Sequence, residues 1–220
     1  MTRDLSILLQ GITGSTAYGL ATPTSDIDRH GIFLAPTRAI LGVVPVQESV
    51  VTTDPDVALH EVGKFVRLAM KANPTILELL WLESYEILNP AAQLLIDNRD
   101  AFLSKTIYKS YGGYAIHQAR RLNARGDNYS SDTKNRTAKH SRHCLRLIQQ
   151  GSQLLKTGTM SIKVENRDDL FAFGELPVAE IVDRFEREFK AFEAIQTHLP
   201  DHPDVDRINR LLLEIREAYG

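Results

Sequence analysis

Cysteine is almost absent from this 220-residue chain, and Cys144 is the single one. It excludes an internal disulfide and a Cys-rich zinc site. No run approaches the roughly 18 apolar residues that a membrane span needs. Met1-Thr2-Arg3-Asp4 leads into only a short apolar-leaning stretch, too short for a signal peptide, so a cytoplasmic protein is expected. The chain has no Gly-Lys-Ser/Thr, which excludes a P-loop, and Gly11-x-x-Gly14 lacks the third glycine of a dinucleotide fingerprint. Internal repeats and low-complexity tracts are missing too. His60, His117 and His140 show no spacing that suggests zinc.

What is present is ordinary globular composition, 43% apolar and 25% charged, with a net charge of -2 that conceals an asymmetry. Between Lys105 and Lys163 stand twelve Lys and Arg against two acids, Asp127 and Asp132, about +10, which leaves about -12 for the rest. A basic middle beside an acidic flank suits a polyanion held by one part and a metal by the other. Two solvated helix faces would give the same count.

Periodicity divides the chain into a mixed α/β half to about residue 100 and an all-α half after it. Short apolar runs at 6–10, 27–34, 49–53 and 57–60 read as strands. Val62, Phe65, Val66 and Ala69 share a helical face, and Asn73-Pro74 ends that helix and starts the next. Long helical patterns cover 105–125, 134–156, 177–199 and 204–219, with a polar loop at 126–133. Phe65, Trp81 and the 77–80 run are expected in the core.

The chemistry concentrates between Gly11 and Phe33. Gly14-Ser15 follows a strand, and a helix opening at Ser15 would offer backbone N–H groups to a phosphate. Asp26-Ile27-Asp28 leads into the second strand, where residues i and i+2 point to one side. Two carboxylates so close need a cation between them. Mg²⁺ binds through few carboxylates plus substrate phosphates, with Mn²⁺ as an alternative. An EF-hand reading fails, because the fifth and twelfth loop positions counted from Asp26 are His30 and Thr37.

In the helical half, Lys139, His143 and Arg146 are spaced i, i+4, i+7 on one face, with Arg136 near it. Such a face suits a triphosphate, and a solvated basic face is the plainer alternative. Lys64 is a further phosphate candidate, though a surface lysine is the commoner explanation.

The stretch Gly14-Ser15…Asp26-x-Asp28 resembles the active site of the DNA polymerase β-like nucleotidyltransferase superfamily. The fuller wording from Gly14 to Asp28 is closer to one branch, the predicted nucleotidyltransferases often encoded beside RNA ligases. That resemblance extends through Lys64-Phe65, Lys71 to Leu80 and Lys139 to Leu147. His30 departs from it, since Arg is expected there. The resemblance implies an α+β fold, with a mixed-sheet catalytic domain at 1–100 and a helical nucleotide- and acceptor-binding domain at 101–220.

It implies Mg²⁺-dependent transfer of NMP from an NTP to an acceptor, with pyrophosphate released. Asp26 and Asp28 would be metal ligands, and a third carboxylate would come from a later strand. Asp56 is the best match, with Glu61 and Asp54 as rivals. Gly14 and Ser15 would hold phosphates, with Lys139, His143 and Arg146 completing the nucleotide pocket. The basic middle favours an RNA end as acceptor. A small-molecule or protein acceptor is one alternative, and a catalytically silent nucleotide-binding or toxin-neutralising protein is another. Oligomeric state leaves no mark in the sequence.

Overall fold

The computed structural model describes residues 5–123 and 131–220. The chain divides into two units, Met1–Leu103 with His202–Gly220, and Ser104–Asp201. The expected division at residue 100 thus leaves one element out of place. The last helix, α10 (Val205–Tyr219), belongs with the first unit.

The first unit is built on a five-stranded mixed sheet. Its strands are β1 (Ser6–Ile12), β2 (Arg29–Leu34), β3 (Ser49–Thr53), β4 (Asp56–Glu61) and the short β5 (Ile87–Leu88), in the order β3-β4-β2-β1-β5. β1 runs antiparallel to β2, and β2 runs parallel to β4. Burial increases along β2 from half-buried Arg29 and along β4 from exposed Asp56 to buried ends. Phe33, Ala35 and Leu59 form the core on one face, with Ile7, Val50 and Val57 packed against them.

Around the sheet lie α3 (Val62–Ala69), α4 (Pro74–Leu77), a 3-10 turn (Glu78–Trp81) and α5 (Pro90–Asp97). Asn73 caps α4 by accepting from the Ile76 N–H, as the Asn-Pro signal predicts. The helix expected to continue from it tightens into the 3-10 turn, which buries Leu79, Leu80 and Trp81. α10 packs on α3 and α5. The α+β fold with a mixed sheet and following helices is what the sequence led us to expect.

The second unit is helical: α6 (Thr106–Asn123), α7 (Ser131–Thr157), α8 (Arg167–Gly174) and α9 (Val178–Glu193). Tyr111, Leu145, Ile148, Phe173 and Phe192 are buried at its centre. Gly151 permits close approach there, since a Cβ would stand 2.9 Å from Phe192 and 3.0 Å from Tyr111. Most of the polar loop read at 126–133 lies outside the described residues, and from Ser131 the chain is already helical. α9 stops at Glu193 rather than near 199. Among the described residues, no helix is long and apolar enough to cross a membrane.

Candidate active site

Sheet topology brings three chain segments to one end of the first unit. Ile12, the last residue of β1, pairs with Arg29, the first of β2. Arg29 in turn pairs with Val57 of the parallel β4. The Gly14-Ser15 turn, Asp28 and Asp56 therefore meet at the same mouth. Asp28 stands just before Arg29 and Asp56 just before Val57, and Arg29 and Val57 are paired across parallel neighbours, so both acids lie where the two strands begin. His30 lies near both, opposite Ala58 on β4. Burial pushes its imidazole below the ordinary histidine pKa, while the carboxylates of Asp28 and Asp56 pull the other way. Both carboxylates thus act on one imidazole.

Gly14 is the tightest point of the site. It has φ +64, and a Cβ there would lie 2.0 Å from Asp28 Oδ2. Glycine is required twice, for the left-handed backbone and for the space the carboxylate fills. Buried Thr13 fixes the approach by donating its N–H to the Asp28 carbonyl at 2.9 Å. The helix expected from Ser15 is a single turn, α1 (Gly14–Ala17), with Thr13 at its N-cap position and Ser15 inside it. That turn is anchored from behind by Tyr18, whose hydroxyl donates to the buried Glu78 carboxylate at 2.9 Å.

The paired acids sit differently from the sequence expectation. β2 begins at Arg29, so Asp26 and Asp28 occupy the irregular segment entering the strand, and the strand alternation does not apply to them as a pair. Asp26 is exposed, while Asp28 is half-buried against Gly14. Among the described residues no group of three His, Cys, Asp or Glu side chains is arranged to hold a metal ion. Asp28 just before β2 and Asp56 at the start of β4 still fit Mg²⁺, which takes one or two carboxylates from protein and the rest from water and phosphate.

The rivals of Asp56 separate by position. Glu61 faces the opposite side of β4, is 2% exposed, accepts from Arg216 at 2.6 Å and caps α3 through the Gly63 N–H at 2.7 Å. Its oxygens are committed to structure. Asp54 lies in the exposed turn between β3 and β4. Lys64 donates to Ser49 Oγ at 2.7 Å, and that hydroxyl also bonds His60 Nδ1 at 2.8 Å.

Several positioning groups carry no local signal. Arg29, next to Asp28, donates its Nε–H to both oxygens of Glu86 at 3.0 Å, and Gln10 donates to the same carboxylate. Tyr18 and Glu78 are sixty positions apart, a pairing that no spacing rule reveals.

Lys139, His143 and Arg146 lie in the second unit on α7, and they do not form one solvated basic face. Lys139 is exposed, His143 half-buried and Arg146 2% exposed. Arg146 Nη2 lies 3.1 Å from His143 Nδ1, and Nη1 donates to Gln150 Oε1 at 2.5 Å. Burial first, then Arg146, His140 and Lys139, push the His143 pKa down to about 3. The imidazole is neutral and accepts from the guanidinium.

That neutrality has a pH consequence. The unfolded chain protonates His143 near pH 6.5, whereas the folded chain refuses the proton until about pH 3. Below pH 6.5 the unfolded state binds more protons, so stability falls as pH falls. His143→Gln keeps an acceptor for Arg146 and titrates nothing. Its stability should fall less steeply between pH 6.5 and 4, by about one proton or about 1.4 kcal/mol per pH unit. Urea midpoints at pH 7, 5.5 and 4 measure this, and identical slopes for both proteins would refute the burial of a neutral imidazole.

With this geometry in hand, the family is clear. The chain matches the model of the RNA repair pathway DNA polymerase beta family over residues 1–171, and it belongs to that family. Membership supports nucleotidyl transfer as the general activity. A curated relative, the uncharacterized 38.9 kDa protein in the nrdC-mobD intergenic region of Enterobacteria phage T4, is 30% identical over 136 residues. That match covers 56% of this chain and 40% of the phage protein, so the chain spans well under half of that relative. The crystal structure of a nucleotidyltransferase-like protein from Exiguobacterium sibiricum 255-15 aligns over 99% of this chain and 76% of its own, at 12% identity and a TM-score of 0.35.

Proposed function

We propose that the chain transfers a nucleoside monophosphate from an NTP to an acceptor hydroxyl or phosphate, releasing pyrophosphate, with an RNA end as the favoured acceptor. The observation that carries this reading is the meeting of Gly14, Asp28 and Asp56 at one mouth of the sheet, with the Asp28 carboxylate filling the space a Cβ would take on Gly14. Asp28 and Asp56 would hold Mg²⁺ or Mn²⁺, with Asp26 reaching in from the preceding segment. When bound, the cation supplies charge neutralisation for the oxygens around the transferring phosphorus.

The protein's own contribution is alignment. The backbone N–H groups of the Gly14-Ser15 turn and the hydroxyl of Ser15 bind phosphate oxygens of the NTP. Asp56 accepts the proton of the attacking hydroxyl, and burial lowers the His30 pKa against the pull of the two carboxylates. Fixing donor and acceptor in line provides much of the acceleration. In the second unit, Lys139 contributes exposed positive charge to polyanion binding, while His143 and Arg146 are engaged with each other. The basic 105–163 region supports RNA over a small molecule or protein as acceptor.

Incubation with labelled NTPs, Mg²⁺, an RNA pool and a small-molecule extract tests this. Label should enter RNA, and RNA binding should weaken steeply with salt. Label found only in small molecules would overturn the acceptor. Tight NTP binding without transfer to anything would favour a silent nucleotide-binding or toxin-neutralising protein.

A further inference from the structure

Three polar side chains meet on the face of the sheet opposite the Phe33 and Leu59 core. Ser49 on the edge strand β3 pairs with His60 on β4, and Lys64 reaches them from α3. Lys64 Nζ donates to Ser49 Oγ at 2.7 Å, and that hydroxyl bonds His60 Nδ1 at 2.8 Å. All three are half-buried, and among the described residues no carboxylate pairs with Lys64.

The cluster is rich in donors. An ammonium carries more N–H groups than the one Lys64 gives to Ser49. If the Ser49 hydroxyl donates to Nδ1, the His60 ring carries its proton on Nε2. If Nδ1 donates instead, the hydroxyl hydrogen turns outward, so either arrangement leaves a further donor beside the ammonium. Burial first, then Lys64 and His30, lower the His60 pKa, which shows the ammonium's field on the ring. A positive charge flanked by spare donors, with access from solvent, suits a phosphate oxygen.

Position decides which phosphate. Asp56, Ala58 and His60 alternate to one face of β4, so the cluster stands about 13 Å along the strand from Asp56. Exposed Thr53 and Val51 lie opposite Asp56 and Ala58 and leave the way between the two ends open. His30 links them, since Asp28 and Asp56 act on its imidazole and it acts on that of His60. The Gly14-Ser15 turn lies on the other side of the acids, because it follows β1 and the strand order is β3-β4-β2-β1. A triphosphate held by that turn is separated from Lys64 by β2 and β4, at whose starts Asp28 and Asp56 stand.

We propose that Lys64, Ser49 and His60 hold a phosphate of the acceptor RNA strand, one of the internucleotide phosphates behind its reacting end. The site deepens the transfer reading and rests on it for the strand's role as acceptor. Lys64 supplies the charge, and the hydroxyl and imidazole set its direction. Holding a phosphate here fixes the strand's register on the sheet, so that its terminal group arrives at Asp56. A phosphate on a small acceptor shares this chemistry.

Fluorescence anisotropy of the full chain with a short single-stranded RNA labelled on an internal base, in EDTA and without NTP, tests it. Lys64→Met keeps the side chain's length and removes its charge. Binding should weaken about tenfold, and the salt slope should shrink by about 0.7. Lys64→Arg should keep the slope, and Ser49→Ala should weaken binding with the slope kept. Oligomers with one linkage replaced by an uncharged methylphosphonate locate the contact in the unaltered protein. One linkage near an end should cost wild type most, and Lys64→Met should be indifferent to that same replacement. The inference is overturned if no RNA binds, if Lys64→Met binds like wild type, or if every linkage costs both proteins alike. Ribose 5-phosphate bound through Lys64, with all oligomers equal, would overturn the strand in favour of a small acceptor. Transfer to RNA with a wild-type KM in Lys64→Met would overturn this site and leave the transfer reading intact. Lys64-dependent binding of RNA that never takes up label would support the phosphate site and overturn the transfer reading.

Discussion

Asp28→Asn should reduce nucleotidyl transfer by about a thousandfold while leaving the fold intact. Asp28 carries the site because three independent features converge on it. Its carboxylate occupies the space beside Gly14, its carbonyl holds the Thr13 N–H, and it and Asp56 both act on the imidazole of His30. In the proposed reaction Asp28 and Asp56 share the cation, so losing one of them would remove several kcal/mol of charge stabilisation around the transferring phosphorus, and each 1.36 kcal/mol is tenfold in rate. The side chain keeps its shape, so circular dichroism and the unfolding midpoint should be nearly unchanged.

Asp26→Asn should cost less, since Asp26 is exposed and its segment is irregular. Gly14→Ala should approach the loss of Asp28→Asn by a different route. A methyl group 2.0 Å from Oδ2 must displace the carboxylate, and φ +64 strains any residue with a Cβ. Single-turnover rates with a labelled NTP measure all three. Retention of wild-type rate within about fivefold by Asp28→Asn would remove this mouth of the sheet from the mechanism.

Arg216→Met should lower the thermal midpoint by about 10 °C or more. The Arg216 guanidinium donates to Glu61 at 2.6 Å and to the Ala35 carbonyl at 3.1 Å, and the two side chains are 11% and 3% exposed. Removing one partner of a buried pair leaves the other charge desolvated and unpaired, at about 3–5 kcal/mol. For a protein of this size each kcal/mol moves the midpoint by about 2–4 °C. Glu61 keeps one donor, the Gly63 N–H at the start of α3, which is too little for a buried carboxylate.

Arg216→Met combined with Glu61→Gln should recover part of the loss, because the uncompensated charge is then gone. Differential scanning calorimetry of the two single variants and the double variant would show this. A fall of less than about 2 °C in Arg216→Met would mean that α10 is not held on the first unit by this pair. The same result bears on Glu61 as a third metal ligand, since a carboxylate free of Arg216 would be available for another role.

The local signals were legible where chemistry and backbone coincide. Gly14 is demanded by its own conformation and by its neighbour, and Asn73-Pro74 starts a helix through its own side chain and ring. Apolar period alone located β2, β4 and α3, because each buries a face against a shared core. Strand boundaries were harder to read: Ile27 is apolar but half exposed, so the run suggested a strand two residues before the ladder begins.

Sequence by itself determined the Gly-Ser turn, the nearby acids, the mixed α and β content and the helical second half. All of these arise from short-range periodicity and residue type. Only the tertiary structure gave the candidate third carboxylates their different surroundings. The parallel pairing of β2 with β4 put Asp56 at the same end of the sheet as Asp28, while a helix from the far end of the chain claimed Glu61. It also turned a helical stripe of Lys139, His143 and Arg146 into an exposed cation, a neutral imidazole and a buried guanidinium. Spacing fixes which residues share a face. What that face packs against is set by partners distant in sequence, and burial then decides charge.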